Sequence, residues 1–152
     1  MQLDEIDRRI LRELQQDGRL QNVELARRVG LSPSPCLRRV KLLEEAGIIS
    51  RYVAVVDQAR VGLKLSMFAR ISLTAQDAET IAHFIAAMKR LPEVVECYIM
   101  LGESDALLRV VVPDLEDYRR FQSTHLTRRN GIQTVKTDVP SETVKQSFAL
   151  PL

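Results

Sequence analysis

Ser34, Arg38 and Lys41 stand four and then three residues apart in the run SPSPCLRRVKLLEEAG. At 3.6 residues per turn, that spacing places a hydroxyl, a guanidinium and an ammonium on one face of a helix, with Arg39 on its flank. Cys36, Leu37, Val40, Leu43 and Gly47 fall on the opposite side. A helix held along one face and offering Arg, Lys and Ser along the other suits the DNA major groove, where such groups meet base edges and phosphates. The same residues equally describe a helical hairpin whose basic face meets only water. The flanking sequence has to decide.

Val23, Leu25, Ala26 and Val29 form an apolar stripe at helical spacing, and Gly30 supplies the positive φ that ends that helix. Ser32 followed by Pro33 predicts the next helix start: a hydroxyl N-cap, then a proline whose missing N–H is not needed in the first turn. A helix-turn-helix is therefore expected at residues 22–41. An earlier helix starts near Asp4, where Asp4, Glu5 and Asp7 suit the positive end of the helix dipole. Ile6, Ile10, Leu11 and Leu14 form its buried stripe, and Asp17-Gly18 ends it. Residues 48–57, IISRYVAVVD, are β-branched and aromatic-rich, which predicts a two-stranded ribbon with Arg51 at its centre. Arg51 there either touches phosphate or stays exposed without a partner. Three helices and a ribbon make residues 1–60 a winged helix-turn-helix domain.

Beyond a connector over 57–64 the pattern changes. Leu65, Met67, Ala69, Ile71 and Leu73 alternate with Ser66, Phe68, Arg70, Ser72 and Thr74, the signature of a half-buried strand. Ile81, Phe84, Ile85, Met88 and Leu91 then repeat at helical spacing up to Pro92. Strands are expected at 94–101, 106–112 and 132–139, with a tight turn at Gly102-Glu103-Ser104 and a second helix capped by Asp114. Residues 142–149 also look extended. The order β-α-β-β-α-β predicts an α+β, ferredoxin-like sandwich for residues 61–152, with both helices on one face of an antiparallel sheet. Apolar neighbours such as Ile99 with Met100 and Leu107 with Leu108 leave the other face apolar too. A second copy of the sheet is its simplest cover, so a homodimer or larger assembly is expected.

Composition narrows the function class. The formal charge of +2 is mild, and residues 1–60 carry the excess with 11 Lys+Arg against 9 Asp+Glu. Cys36 and Cys97 have no CxxC or Cys/His cluster around them, which argues against a disulfide scaffold or a metal site and fits a reducing cytoplasm. No apolar run is long enough for a membrane span, and MQLDEIDRRIL lacks the apolar core of a signal peptide. The first turn of a helix would favour a Cys36 thiolate, but His83 and His125 lie in the other domain, in separate helices. There is no phosphate-binding glycine loop and no HExxH. An enzyme is not expected, and neither is a cofactor.

The segments LDEIDRRILRELQQDGR, NVELARRVGLSPSPCLRRVKLLEEAGII, LPEV, LGESDALLRV and the final LPL, taken in order, resemble the Lrp/AsnC (leucine-responsive, or feast/famine) regulators over nearly the whole chain. The resemblance implies a transcription factor that binds double-stranded DNA, forms dimers that assemble further, commonly into octamers, and responds to an amino acid. It implies DNA contacts at Ser34, Arg38 and Arg39 of the helix-turn-helix, with Ser32, Lys41 and Arg51 as further candidates. It also implies an effector site between sandwich domains of neighbouring dimers, at Ile99, Gly102, Glu103, Ser104, Asp105, Leu115, Asp138 and Val139. A bound amino acid needs an acceptor for its ammonium, N–H groups for its carboxylate and apolar walls for its side chain. Asp105 offers the first and the 102–104 backbone the second; alternatively, Gly102 only makes the hairpin and Asp105 only caps it. The carboxylate of Asp138 fits either a basic or polar amino acid rather than leucine, or a pocket no longer used. An architectural protein that wraps DNA without an effector is the other reading these residues allow.

Overall fold

The computed structural model describes residues 2–152, which divide into two compact units. The first runs up to Val55 and includes Val144–Leu152; the second is Val56–Thr143. The expected boundary at residue 60 thus falls five residues earlier, and the last segment packs with the first unit rather than with the sandwich.

The first unit holds α1 (Glu5–Gln16), α2 (Asn22–Val29) and α3 (Pro33–Glu45). Asp4 caps α1 in a reciprocal capping box: its carboxylate accepts the Asp7 N–H at 2.8 Å, and the Asp7 carboxylate accepts the Asp4 N–H at 3.2 Å. Gly30 ends α2 at φ 75°, a left-handed conformation that glycine adopts without a Cβ clash. Ile10, Leu11, Leu25, Ala26, Val29, Cys36 and Leu43 form the core, each stripe having been set by helical spacing. Burying side chains of this size contributes on the order of 1.5–3 kcal/mol apiece.

The expected ribbon at 48–57 is not formed, and residues 51–57 belong to no strand. Alternation in IISRYVAVVD marks a chain that can pair, but it contains no Gly, Asn or Asp-Gly to reverse direction before Asp57. Val53, Val55 and Val56 are exposed instead. Tyr52 alone is anchored, its hydroxyl donating to the Glu44 carboxylate at 2.9 Å. Burial first, then that carboxylate, pushes its phenol up to about 12.

The segment 144–152 forms no strand either and returns to α1. The Gln15 side chain clamps Leu150 from both sides, donating to its carbonyl at 3.2 Å and accepting its N–H at 2.6 Å. Arg12 donates to the Leu152 carbonyl oxygen at 3.1 Å, and the Leu152 side chain packs against the core.

In the second unit, β1 (Leu65–Leu73), α4 (Ala78–Met88), β2 (Val94–Ile99), β3 (Ala106–Val112), α5 (Leu115–His125) and β4 (Ile132–Asp138) follow the expected order. The sheet is antiparallel throughout, in the order β2-β3-β1-β4. Asp77 and Asp114 cap α4 and α5 by accepting the Thr80 and Asp117 N–H groups. Met67, Ala69, Ile71 and Leu73 of β1 and Ala106, Leu108, Val110 and Val112 of β3 face Phe84, Met88, Tyr118 and Phe121 from the two helices. Phe68, Arg70, Leu107, Arg109, Tyr98 and Asp138 share the opposite, helix-free face by register.

Candidate functional site

Pro33 starts α3 directly after Ser32, whose side chain makes no capping hydrogen bond. Asn22 donates to the Pro33 carbonyl at 2.8 Å and so ties the start of α2 to the start of α3. Cys36 and Leu43 are fully buried beneath α3, which turns Ser34, Arg38 and Lys41 outward. Among the described residues, neither Arg38 nor Lys41 has a side-chain partner, whereas Arg27 and Arg28 are taken up by Glu24 and Glu13. Arg51 is exposed next to the anchored Tyr52. Leu37, expected inside, is 44% exposed.

Arg39 is placed differently from Arg38. Its Nη1 donates to Asp4 at 2.7 Å and to Asp7 at 2.8 Å. Asp7 is the one buried charged residue among those described, its side chain only 5% exposed. The Asp4 carboxyl is held below its usual range, first by the Asp7 backbone N–H and then by Arg39. The sequence reading missed this partnership. A signal was there: Asp7 lies three, four and seven residues before Ile10, Leu11 and Leu14, so a carboxylate sits on the apolar stripe and demands a cation.

The eight residues expected at an effector site are not gathered in one chain. Ile99 and Gly102 to Asp105 lie together at the β2–β3 turn. Leu115, half-exposed, opens α5 beyond the other end of β3. A seven-residue strand separates these two places, about 20 Å of chain. Asp138 ends the far edge strand, β4, and Val139 follows it. The Asp138 carboxylate is bound by Arg70 through two contacts, 2.9 and 3.1 Å. The Asp138 carboxylate therefore has a partner in its own chain, in an exposed pair.

Asp105 is also engaged: one oxygen accepts the Leu73 N–H at 2.7 Å and the other accepts the Gln76 side-chain amide at 2.8 Å. These bonds pin the end of β1 rather than the 102–104 turn, and the carboxylate keeps further lone pairs for an ammonium. Gly102 does not adopt a positive φ, and nothing lies within 4 Å of where a Cβ would stand. Among the described residues, the N–H groups of Gly102, Glu103 and Ser104 meet no acceptor. Glu103 lies 3.7 Å from Lys136.

Residues 3–50 match the family described as Winged helix-turn-helix DNA-binding, and residues 66–150 match the Lrp/AsnC ligand binding domain. The chain belongs to the Lrp/AsnC family. It is 44% identical to the leucine-responsive regulatory protein of Salmonella typhimurium, over 97% of this chain and 90% of that one. Its fold superposes at a TM-score of 0.95 on a transcriptional regulator of Neisseria meningitidis solved as an L-Met complex, 39% identical over 99% and 97% of the two chains. An AsnC family transcriptional regulator from Agrobacterium tumefaciens gives a TM-score of 0.93 at 40% identity, over 98% and 97%. This Lrp/AsnC chain is thus a DNA-binding transcriptional regulator carrying a ligand-binding domain.

The thiols of this Lrp/AsnC chain are unpaired, and burial pushes both Cys36 and Cys97 upward. For Cys36 that reverses the expectation of a thiolate favoured by the helix start. His83 meets the Arg129 carbonyl at 2.9 Å, and His125 tilts against Phe121. Among the described residues, no cluster of His, Cys, Asp and Glu could hold a metal, and no helix is long and apolar enough to cross a membrane.

Proposed function

We propose that this protein reads specific DNA sequences with α3 and that an amino acid, bound between second units of separate chains, sets its assembly state and hence its DNA affinity. The observation that carries the reading is the partner-free pair Arg38 and Lys41 on a helix whose other face is buried. Arg38 is suited to a base edge; Lys41, Ser34 and Arg51 are suited to phosphate. Paired recognition helices of a homodimer would enter successive major grooves about 34 Å apart. The helix-free sheet face, with Phe68, Tyr98 and Leu107 on it, supports pairing of two copies, and the family resemblance adds association of dimers into an octamer.

Three observations support the effector. The second unit matches a ligand-binding domain, a relative is an L-Met complex, and the 102–104 N–H groups stand open beside Asp105. Leu115 and Val139 lie away from that turn, which supports a pocket completed by a second chain. The ligand then shifts the assembly equilibrium only by its differential affinity for the states it joins.

Fluorescence anisotropy tests this with the gene's own upstream region against a random duplex at fixed salt, with each of the twenty amino acids in turn. Specific binding moved by one or a few amino acids is expected. Specific binding unmoved by all twenty would favour an architectural, DNA-wrapping protein. No preference over random DNA would remove the sequence-specific reading.

A further inference from the structure

We infer that Arg39 is a positioning residue for DNA recognition, acting through Asp4 and Asp7 to hold α3 against α1, and that it does not touch DNA; this rests on the reading of α3 as the recognition helix. Arg38 and Arg39 are neighbours, so their side chains leave the helix about 100° apart. One guanidinium is exposed and free; the other is only 31% exposed and turned to the first turn of α1. Asp4 and Asp7 are locked to each other by their reciprocal backbone bonds, so the two carboxylates form a fixed acceptor. Nη1 of Arg39 closes the triangle with both. The bond joins residues 32 and 35 positions apart in the chain, and among the described residues it is the ion pair that ties α3 to α1.

Energetics decide against a phosphate role. To reach a phosphate, Arg39 would break two charge-assisted bonds, each stronger than a neutral one. It would also leave Asp7 buried and unpaired. Asp7 lines the same groove as Ser34, Pro35, Arg38 and Leu42, so the bared carboxylate would lie next to the incoming polyanion. Kept in place, Arg39 neutralises that groove and fixes the rotation of α3, and therefore where Arg38 points.

The test uses the full-length protein and a duplex that the wild type selects from a random pool, with a scrambled duplex alongside. Anisotropy titrations at several salt concentrations compare wild type, Arg38→Ala, Arg39→Ala, Arg39→Lys, Asp7→Asn and the Asp7→Asn/Arg39→Ala pair. All are measured below their melting temperatures. Arg39→Ala and Asp7→Asn should each weaken the selected duplex roughly tenfold, and the pair should cost little more than either alone because both remove one interaction. The scrambled duplex should bind as before and the salt slope should stay at the wild-type value. Arg39→Lys should recover most of the loss. Should Arg39→Ala not fold, Asp7→Asn and Arg39→Lys carry the same comparison.

The inference is overturned if Arg39→Ala weakens both duplexes alike with a shallower salt slope while Asp7→Asn is neutral or tighter. It is equally overturned if Arg39→Ala changes nothing. If Arg38→Ala also leaves both duplexes unaffected, the recognition-helix reading itself has failed, which separates the two.

Discussion

The two candidate sites differ in how much chain each requires. The candidate DNA-reading face lies on α2 and α3, a stretch of 24 residues whose buried and exposed sides mostly follow from helical spacing, Val23 and Leu37 being exposed against it. The residues expected at the effector site occupy a hairpin turn, a helix start and the end of a far edge strand, and Asp105 and Asp138 already serve their own chain. A local pattern can present a reading face, whereas a binding pocket built from three distant places needs a second copy. DNA reading should therefore respond to single changes in α3, and effector response to changes in assembly.

The largest predicted effect breaks the assembly side. Leu107→Asp places a charge on the helix-free sheet face without touching the helix-covered core. Sedimentation velocity should show monomer, and DNA affinity should fall about 10²–10⁴-fold as two half-sites stop binding as one. Unchanged sedimentation would move the pairing surface elsewhere.

Arg38→Ala should cost about 1–3 kcal/mol per half-site and relax sequence preference at one position. Lys41→Ala should weaken every duplex alike and make the salt slope shallower by about one. If both behave as wild type, α3 is not the reading helix.

Asp105→Asn removes the charge but keeps the shape, and Gln76 can turn its amide to satisfy the new nitrogen. Effector response, of order 1–3 kcal/mol of coupling, should vanish while ligand-free DNA affinity stays. A normal response would place the ammonium acceptor on another group.

The smallest effect lies in acid. Hydrogen bonds from Arg27 and then Arg28 lower the Glu24 carboxyl from 4.5 to about 2. A lowered folded-state value means its stabilisation is present above about 4.5 and is lost as pH falls from there through about 2. Melting curves of Glu24→Gln should fall slightly below wild type at neutral pH and meet it near pH 2.

Periodicity carries further than partnership. The bounds of β3, the start of α1 near Asp4, the cap Asp114 and the βαββαβ order were all legible because each depends on a few adjacent residues. The stretch 48–57 misled because alternation specifies a strand but not what it pairs with. Arg39 could be assigned to the flank of α3 but not to α1, since its partners lie 32 and 35 residues away. Arg70 and Asp138 are 68 apart and meet only through the sheet register. Side chains that neutralise one another across such distances look free in a sequence, which is why the charge of Asp138 seemed available to a ligand.

The clamp of Gln15 on Leu150 orders events on the ribosome. α1 is made before its docking segment, which emerges only after all of Val56–Thr143. At bacterial synthesis rates that interval is on the order of 5–20 s. The second unit is thus synthesised before the segment that docks on α1, so it can fold while α1 still lacks that contact.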